Sequence, residues 1–236
     1  LEFRRVLFRS PPLDVLLIFI TGTPGSGKTT TASAMLISRL KSYGGFAYTI
    51  EDPPEMPLNG WHTDDSDGQT TPANGYCTQN FPHAESADPW AMAIQEALRS
   101  QPSGSRSMLY IGEVRNAGCA VAMLGAANNG FLVIATGFGQ DVLNGLESLI
   151  RLGTQGGLPQ EAVCNDLANS LKMIVHQRLD ANTRRIDQTF LMVPSANSTE
   201  ANFIRKNNIQ SLKDLVARQQ LNAVNIRPND RGMDFD

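Results

Sequence analysis

The stretch Gly22-Thr23-Pro24-Gly25-Ser26-Gly27-Lys28-Thr29 decides how this chain folds. Its pattern, G-x-x-x-x-G-K-[ST], is typical of loops that bind nucleotide phosphates, and it requires a strand before it and a helix after it. The apolar run at residues 15–20 predicts the strand. After the loop, apolar residues recur every three or four positions as far as Tyr43, which predicts a helix. A chance glycine-rich turn therefore explains this stretch poorly.

Each residue type in the loop has a physical role in phosphate binding. Glycines allow successive backbone N–H groups to face phosphate oxygens, and the positive end of the following helix favours the negative charge. We expect Lys28 to reach the β- and γ-phosphates and the Thr29 hydroxyl to coordinate Mg²⁺. The sequence thus predicts binding of ATP with Mg²⁺ through Gly22, Thr23, Pro24, Gly25, Ser26, Gly27, Lys28, Thr29 and Thr30.

The rest of the chain alternates between strand and helix patterns, which predicts an α/β fold with a mostly parallel sheet flanked by helices. Further strands are predicted at residues 46–50, 108–111, 131–136 and 186–193. Helices are predicted at 90–99, 117–128, 142–152, 161–179 and 212–221, so that the C-terminal part is helical. Residues 52–89 are rich in Pro, Gly, Asn, Asp and Ser, and this composition predicts a long surface excursion.

Acidic residues follow two of the predicted strands. Glu51-Asp52-Pro53-Pro54-Glu55 follows the second strand, and Glu113 follows the strand at 108–111, with Arg115 next to it. In open α/β sheets, ligands bind at the carboxyl ends of the strands, so these carboxylates are candidates to orient water or hold Mg²⁺. A lone acidic residue more often caps a helix or solvates a loop; two acidic strand ends beside a phosphate loop favour function.

Four ordered segments resemble the secretion and pilus ATPase superfamily, which drives type II secretion, type IV pili, and type IV secretion or conjugation. They are residues 22–31, Thr49-Ile50-Glu51-Asp52-Pro53-Pro54-Glu55, Ala97-Leu98-Arg99, and Ile111-Gly112-Glu113-Val114-Arg115. The resemblance covers roughly residues 14–221. It implies a RecA-like P-loop domain that hydrolyses ATP as a homo-oligomer, a hexamer in this family. It also implies a cytoplasmic location at the inner membrane and a platform protein of a pilus or secretion machine as partner.

The resemblance also implies roles for individual residues. Lys28 and Thr29 belong to the Walker A loop, and Glu55 lies in the family's Asp box at the position proposed to activate water. Glu113 fills the Walker B glutamate position and, with Thr29, would hold Mg²⁺. Arg99 and Arg115 match family arginines that sense phosphate or act across a subunit boundary. Gln177-Arg178-Leu179 fits a late helix of the family.

Two departures from the family pattern leave alternatives open. The family's His box reads Thr-x-His-Thr, whereas the matching stretch here is Thr136-Gly137-Phe138-Gly139, and Asn116 stands where Asp is common. Because Phe138 cannot donate a hydrogen bond, a nucleotide-binding regulatory or degenerate subunit is one alternative. Another P-loop kinase or NTPase is the second, although no Arg-rich lid segment is visible. Pilus extension, pilus retraction, secretion and conjugation stay open at this point.

Composition excludes some other classes. With 41% hydrophobic and 18% charged residues, the 236-residue chain has the composition of an ordered globular domain. The net charge of −3 lacks the basic balance of a nucleic-acid-binding domain, so we expect no direct nucleic-acid binding. Three cysteines, far apart in sequence, indicate free thiols rather than a disulfide framework.

The ends of the chain differ in composition from its centre. Residues 1–10 resemble a translated cloning adapter, and we interpret them as a non-native leader. Residues 11–224 are assigned to the RecA-like ATPase domain, and residues 225–236 to a loose polar tail. Relatives carry a further N-terminal domain, so we expect this chain to be a fragment that lacks it.

Overall fold

The computed structural model of the protein describes residues 17–63, 74–83, 85–101, 106–180, 182–183 and 185–225. The predicted leader at 1–10, the first two residues of the predicted strand at 15–20 and all but the first residue of the predicted tail lie outside the described residues. The division into leader, domain and tail therefore stays a prediction.

Strands and helices follow one another through most of the described residues, as predicted, and the chain ends in helices. The strands are β1 (Leu17–Gly22), β2 (Gly45–Ile50), β3 (Gly60–Thr63), β4 (Asn74–Asn80), β5 (Ser107–Ile111), β6 (Leu132–Gly137), β7 (Leu171–Leu179) and β8 (Ile186–Met192). The helices are α1 (Lys28–Tyr43), α2 (Pro89–Ser100), α3 (Ala117–Asn128), α4 (Val142–Gln155), α5 (Gln160–Ser170), α6 (Thr199–Arg205) and α7 (Leu212–Asn225), with a 3₁₀ turn at Ile209–Ser211.

All eight strands form one sheet in the order β3-β4-β2-β5-β6-β1-β7-β8. Every pairing between β4 and β7 in this order is parallel, and only the pairings of β3 with β4 and of β7 with β8 are antiparallel. This confirms the predicted α/β fold with a mostly parallel sheet. The parallel strands place their carboxyl ends along one edge, where the phosphate loop and both acidic segments lie.

Helices cover both faces of the sheet, and each face has its own apolar core. On one face, α1 packs Met35, Leu36 and Leu40 against the sheet residues Ile18 and Ile20. On the other face, the remaining helices bury a larger apolar cluster that includes Leu109, Val133 and Ile174. Residues in β1 alternate between these two cores, which is why the strand reads as a continuous apolar run. The phosphate loop thus emerges from the centre of the sheet.

The predicted helix at 161–179 is wrong in its second half. Helix α5 ends at Ser170, and residues Leu171–Leu179 form β7, which pairs in parallel with β1 and antiparallel with β8. No glycine or proline separates the two elements, and an apolar run buried on both faces has no clear period of its own. The β-branched pair Ile174 and Val175 fits the strand better than the helix. The Gln177-Arg178-Leu179 segment is therefore part of the central sheet.

The predicted surface excursion at 52–89 contains two strands, β3 and β4, which its polar composition did not indicate. Strand β4 extends the parallel sheet beside β2, and β3 returns antiparallel to it at the edge. Leu58 and Cys77 are fully buried within this segment. Residues 64–73, which connect β3 to β4, lie outside the described part of the chain. The described loop between β2 and β3 crosses the edge of the sheet where the acidic residues lie.

Helix α7 packs against β8, the strand at one edge of the sheet. The side-chain amide of Gln219 accepts a hydrogen bond from the Met192 N–H and donates one to the Met192 carbonyl. β8 is an edge strand with no further strand beside it, and these two bonds pair the N–H and the carbonyl of Met192. Among the described helices, none is long and apolar enough to cross a membrane.

Candidate functional site

The phosphate loop takes its shape from glycines and from the strand beside it. Gly25 and Gly27 have φ angles of 75° and 83°, in the left-handed region where side chains are strained. At Gly22, a β-carbon would lie 2.3 Å from the carbonyl oxygen of Gln177 on β7. A side chain at either kind of position would displace the loop. The loop between β1 and α1 therefore depends on glycine at these three positions.

Helix α1 begins with its N–H groups free for a ligand. Its N-cap residue is Gly27, which provides no side-chain cap, and its first turn contains no acidic residue. The first helical hydrogen bond runs from the Thr31 N–H to the Gly27 carbonyl, so the N–H groups of residues 28–30 have no intrahelical partner. Such a helix N-terminus attracts phosphate through its dipole and its unpaired donors.

Lys28 lies within this loop and faces the carboxylates. Its ammonium donates to the carbonyl oxygens of Gly22 and Thr23, at 3.1 and 3.0 Å. Burial lowers the pKa of Lys28, while the nearby carboxylates of Glu113 and Glu55 act to raise it. Two acidic residues far apart in sequence thus share the electrostatic environment of Lys28.

Glu113 and Arg115 form an ion pair at the end of β5. The Arg115 guanidinium donates from Nε and from Nη2 to the same oxygen of Glu113, at 2.6 and 2.5 Å. Both side chains are partly exposed to solvent, with 67% of Arg115 and 31% of Glu113 accessible. Solvent therefore reaches both side chains of the pair.

Glu51 is the buried carboxylate of the site. It is only 2% exposed, and burial raises its pKa, which the hydrogen bond from Gln79 partly offsets. Its side chain lies against Gly112, where a β-carbon would be 3.1 Å from Glu51 Cγ. The Gly112 N–H donates to the Ile50 carbonyl at 2.9 Å, which joins the ends of β2 and β5. The glycine at position 112 therefore makes room for Glu51.

These residues line one cleft of about 570 Å³ at the carboxyl edge of the sheet. This volume falls within the range of small-molecule and cofactor sites. Its lining comprises Pro24, Gly25, Gly27, Lys28, Thr29, Thr30, Glu51, Asp52, Pro53, Glu55, Trp90, Tyr110, Gly112, Glu113, Arg115 and Thr136. The cleft therefore brings six of the nine predicted phosphate-binding residues together with both acidic strand ends.

Four predicted site residues lie outside the cleft lining. Gly22 and Thr23 form the rear of the loop and hold Lys28 through their carbonyls. Ser26 is 1% exposed beneath the loop. Arg99 is exposed in the last turn of α2. Its role in phosphate sensing or across a subunit boundary stays a prediction.

The residues present fit a magnesium ion bound together with a nucleotide. The described residues contain no group of three or more His, Cys, Asp or Glu side chains that would hold a metal by themselves. Thr29 and Glu113 nevertheless line the same cleft beside Lys28. Mg²⁺ commonly takes only one or two protein oxygens and completes its shell with phosphate and water. The donor set therefore suits Mg²⁺ that enters with ATP.

Sequence reasoning missed several residues that shape the site. Gln177 donates a hydrogen bond to the phosphate loop, and Gln79 donates one to Glu51 in the loop after β2. Tyr110 and Trp90 line the cleft. None of these four was predicted as a site residue. Burial raises the pKa of Tyr110, and the Glu51 carboxylate raises it further. Tyr110 lies in β5, two residues before Gly112, so its position just before the Gly112-Glu113 strand end was the available signal. No nearby motif indicated the contact of Gln79. The segment Gln177-Arg178-Leu179 was assigned to a helix, so the contact of Gln177 with the phosphate loop was not predicted.

The structure shows where Asn116 and Phe138, the two departures from the family pattern, lie. Asn116 is the N-cap of α3, where its side-chain oxygen accepts from the Cys119 N–H at 2.8 Å. Asn and Asp cap helices about equally well, so this exchange has little structural consequence. Phe138 follows the last residue of β6 and is 54% exposed. Its ring therefore fills no core position that would explain the loss of histidine.

Comparison with known proteins gives consistent matches. A family model described as "Type II/IV secretion system protein" matches residues 6–221. The type IV pilus ATPase PilU of Pseudomonas aeruginosa is 30% identical over 207 residues, covering 86% of this chain and 48% of PilU. The type II secretion system protein HxcR of the same species is 29% identical over 177 residues, covering 72% of this chain and 33% of HxcR. The chain thus spans about a third to a half of these relatives.

Solved structures show the same fold. The pilus retraction motor PilT with bound ADP superposes with a TM-score of 0.72 at 24% identity, covering 95% of this chain and 60% of that chain. The ATPase DotB of Legionella pneumophila superposes with a TM-score of 0.62 at 17% identity, covering 94% of this chain and 60% of that chain. These structural matches confirm the predicted fold, and the family model confirms the resemblance drawn from the sequence motifs.

Proposed function

The chain belongs to the type II/IV secretion system protein family, and on that premise we propose that it works as a hexameric motor that hydrolyses ATP. Relatives in this family include a protein named as a type IV pilus ATPase and one named as a type II secretion system protein. The proposal covers pilus assembly or retraction, secretion and conjugative transfer, which share the same nucleotide chemistry.

One observation carries this proposal. The cleft brings Lys28 and Thr29 of the phosphate loop together with the carboxylates of Glu55 and Glu113, which come from two different strand ends. A chain that only bound nucleotide would need the loop and the helix N-terminus. Carboxylates facing the place of the γ-phosphate add groups that orient or deprotonate water. This arrangement therefore supports hydrolysis rather than binding alone.

The residues have distinct roles in the proposed reaction. Residues 22–30 and the N-terminus of α1 bind the phosphates, and the Lys28 ammonium neutralises charge on the β- and γ-phosphates. Bound Mg²⁺ would supply further positive charge there, held by Thr29 and Glu113. Glu55 accepts the proton of the attacking water. Arg115 leaves Glu113 and, like Arg99, stabilises charge on the transferred phosphate in its own or a neighbouring subunit.

The proposal extends to assembly and location. ATP would lie between protomers, bound by the phosphate loop of one and completed by charges of its neighbour. Closure of this interface on ATP and its release after hydrolysis would move a partner. We propose that the partner is an inner-membrane platform protein, so that the ring works in the cytoplasm as a peripheral protein of that membrane.

A second candidate function rests on Phe138. This residue occupies the His-box position, where the family places a side chain that can contact phosphate. A subunit that binds ATP only to assemble or regulate a partner complex would tolerate this loss. Such a subunit would bind nucleotide through residues 22–30 but turn it over poorly.

Magnesium-dependent ATP turnover by the intact protein, at concentrations where it assembles, separates these functions. We expect turnover in the wild type and its loss in Lys28→Ala and in Glu113→Gln. Lys28→Ala should also weaken ATP binding, whereas Glu113→Gln should retain it, because only Lys28 belongs to the phosphate loop. Tight ATP binding without turnover in assembled wild-type protein would favour the regulatory subunit. Transfer of phosphate to a small acceptor instead of water would favour a P-loop kinase.

A further inference from the structure

Gln79 uses its whole side-chain amide to hold the loop that carries Glu55. Its Nε2 donates to Glu51 Oε1 at 3.0 Å and to the Met56 carbonyl at 2.7 Å. Its Oε1 accepts from the Leu58 N–H at 3.2 Å. The Gln79 backbone N–H also donates, to Asn59 Oδ1 at 3.1 Å. One residue of β4 therefore contacts the start, the middle and the end of the loop after β2.

This loop has no regular structure of its own to fix its shape. Residues 51–59 contain neither helix nor strand, and Glu55 is exposed near their centre. The two ends are buried, with Glu51 beneath the cleft and Leu58 in the core beside α1. Because the contacts from Gln79 lie on both sides of Glu55, they restrict where its backbone can run.

We propose that Gln79 is a positioning residue for the proposed hydrolysis reaction, which holds Glu55 in place beside Lys28. Gln79 does not line the cleft and so does not touch the nucleotide itself. It acts through the loop of residues 51–59, and this role rests on the proposed ATPase function. Displacement of a catalytic group by even about 1 Å can cost ~100-fold in rate, so a hydrogen-bonded anchor at this place has a large effect.

The chemistry of the contacts requires an amide. Two donors face the Glu51 carboxylate and the Met56 carbonyl, and one acceptor faces the Leu58 N–H. Gln79→Met keeps the length of the side chain but removes all of these hydrogen bonds. Gln79→Glu keeps an acceptor for Leu58 and places a carboxylate against two acceptors, Glu51 among them. Loop order should therefore decrease from the wild type to Gln79→Met and further to Gln79→Glu.

The experiment measures ATP turnover and hydrogen exchange on the intact protein. For Gln79→Met we expect kcat to fall about tenfold or more while KM and the affinity for a non-hydrolysable ATP analogue change less than about twofold. Exchange at the Leu58 amide should become faster. Asn59→Ala should cause a smaller change in the same direction. Asn80→Ala is the matched control, because the Asn80 side chain donates to Thr78 of its own strand.

Each outcome bears on the proposal. Wild-type kcat in Gln79→Met, or an equal loss in Asn80→Ala, would overturn it. A parallel fall in kcat, analogue affinity and thermal stability would also overturn it, because the residue would then be merely structural. If the wild type itself shows no turnover, the proposed ATPase function fails. In that case faster exchange at Leu58 in Gln79→Met would still support Gln79 as the anchor of this loop, and unchanged exchange would overturn it.

Discussion

The side-chain amide of Gln177 donates a hydrogen bond of 2.6 Å to the carbonyl oxygen of Ser26, which ties the centre of the sheet to the phosphate loop. The amide oxygen of Gln177 accepts from the Thr31 hydroxyl at 2.9 Å, in the first turn of α1. Gln177 is fully buried on β7. A residue 151 positions away in sequence therefore holds both the loop and the helix that are expected to bind phosphate.

We expect Gln177→Leu to destabilise the protein and to weaken ATP binding. The substitution leaves the Ser26 carbonyl and the Thr31 hydroxyl without their buried partner. An unsatisfied buried polar group costs about 1 to 3 kcal/mol, and the half-buried Thr31 hydroxyl costs less, so the free energy of unfolding should fall by roughly 1 to 3 kcal/mol. Urea unfolding and titration with ATP measure the two effects. Full ATP affinity in the folded variant would show that the loop keeps its shape without Gln177.

Gln188→Leu is the matched control for this prediction. The Gln188 amide also donates to the oxygen of Gln177, but at 3.3 Å and from a half-buried position on β8. Its loss leaves the hydrogen bonds of Gln177 with Ser26 and Thr31 in place. We expect less than about 1 kcal/mol of destabilisation and unchanged ATP affinity.

The contrast between Lys28 and Gln177 explains what the sequence could predict. Lys28 belongs to an eight-residue motif in which strand, loop and helix follow each other directly, so a local pattern is enough. Gln177 acts across the sheet, and its own segment was wrongly predicted as helix because a strand buried on both faces has no period of two. The role of Gln79 was not predicted either, because the polar residues around β4 made this strand resemble a surface loop.

Gly112 provides a second prediction, because a β-carbon there would lie 3.1 Å from Glu51 Cγ. Gly112→Asp should crowd Glu51 and add a like charge beside a buried carboxylate. Overpacking in a filled site costs about 1 to 3 kcal/mol, and we expect a loss of that size with impaired turnover. Urea unfolding measures the loss, and Glu51→Gln in the same background should recover part of it.

Gly125→Ala is the control for the Gly112 substitution. Gly125 is exposed within α3, and no atom lies within 4 Å of an added β-carbon. Alanine in a helix interior is favoured over glycine by about 0.5 to 1 kcal/mol, so this variant should be slightly more stable. Equal stability of the Gly112→Asp variant and the wild type would contradict the steric argument.

The ion pair of Arg115 with Glu113 leads to a third prediction. Exposed ion pairs contribute about 0 to 1 kcal/mol, so Arg115→Ala should change the unfolding free energy very little. If Arg115 stabilises the transferred phosphate, turnover should fall by about 10³-fold or more. Arg151→Ala, at an exposed arginine of α4 that donates to Ser148, should leave turnover intact. Comparable turnover in the two variants would remove Arg115 from the proposed mechanism.

Glu51 predicts a dependence of stability on pH. Burial raises its pKa in the folded protein, so the folded state binds this proton more readily than the unfolded state. The contribution of Glu51 to stability is therefore fully present below the unfolded carboxyl pKa of 4.5 and is lost as the pH rises through the folded pKa. In the absence of Mg²⁺, Glu51→Gln should be more stable than the wild type at pH 8.

This difference should shrink as the pH falls toward the unfolded carboxyl pKa. In the Glu51→Gln variant, the new amide oxygen would still accept the hydrogen bond from Gln79, so the comparison isolates the charge. Glu147→Gln removes an equal charge at an exposed position of α4 and is the control for net charge. Urea unfolding from pH 4.5 to pH 8 gives the measurement. A stability difference that does not vary with pH would refute the linkage.

Phe138 tests how strongly the absence of a histidine at the His-box position limits ATP turnover. The ring is 54% exposed just beyond β6, so Phe138→His removes little buried apolar surface and should leave the unfolding free energy within about 0.5 kcal/mol. Thr136, two residues earlier, lines the cleft, and its hydroxyl donates to the Gly112 carbonyl. An imidazole at position 138 would place a hydrogen-bond donor at the same edge of the sheet.

We expect Phe138→His to raise kcat for ATP, with Phe138→Leu, which adds no donor, as the control. Higher turnover in both variants would attribute the effect to the removed ring, and no gain in either would show that the site works without this contact.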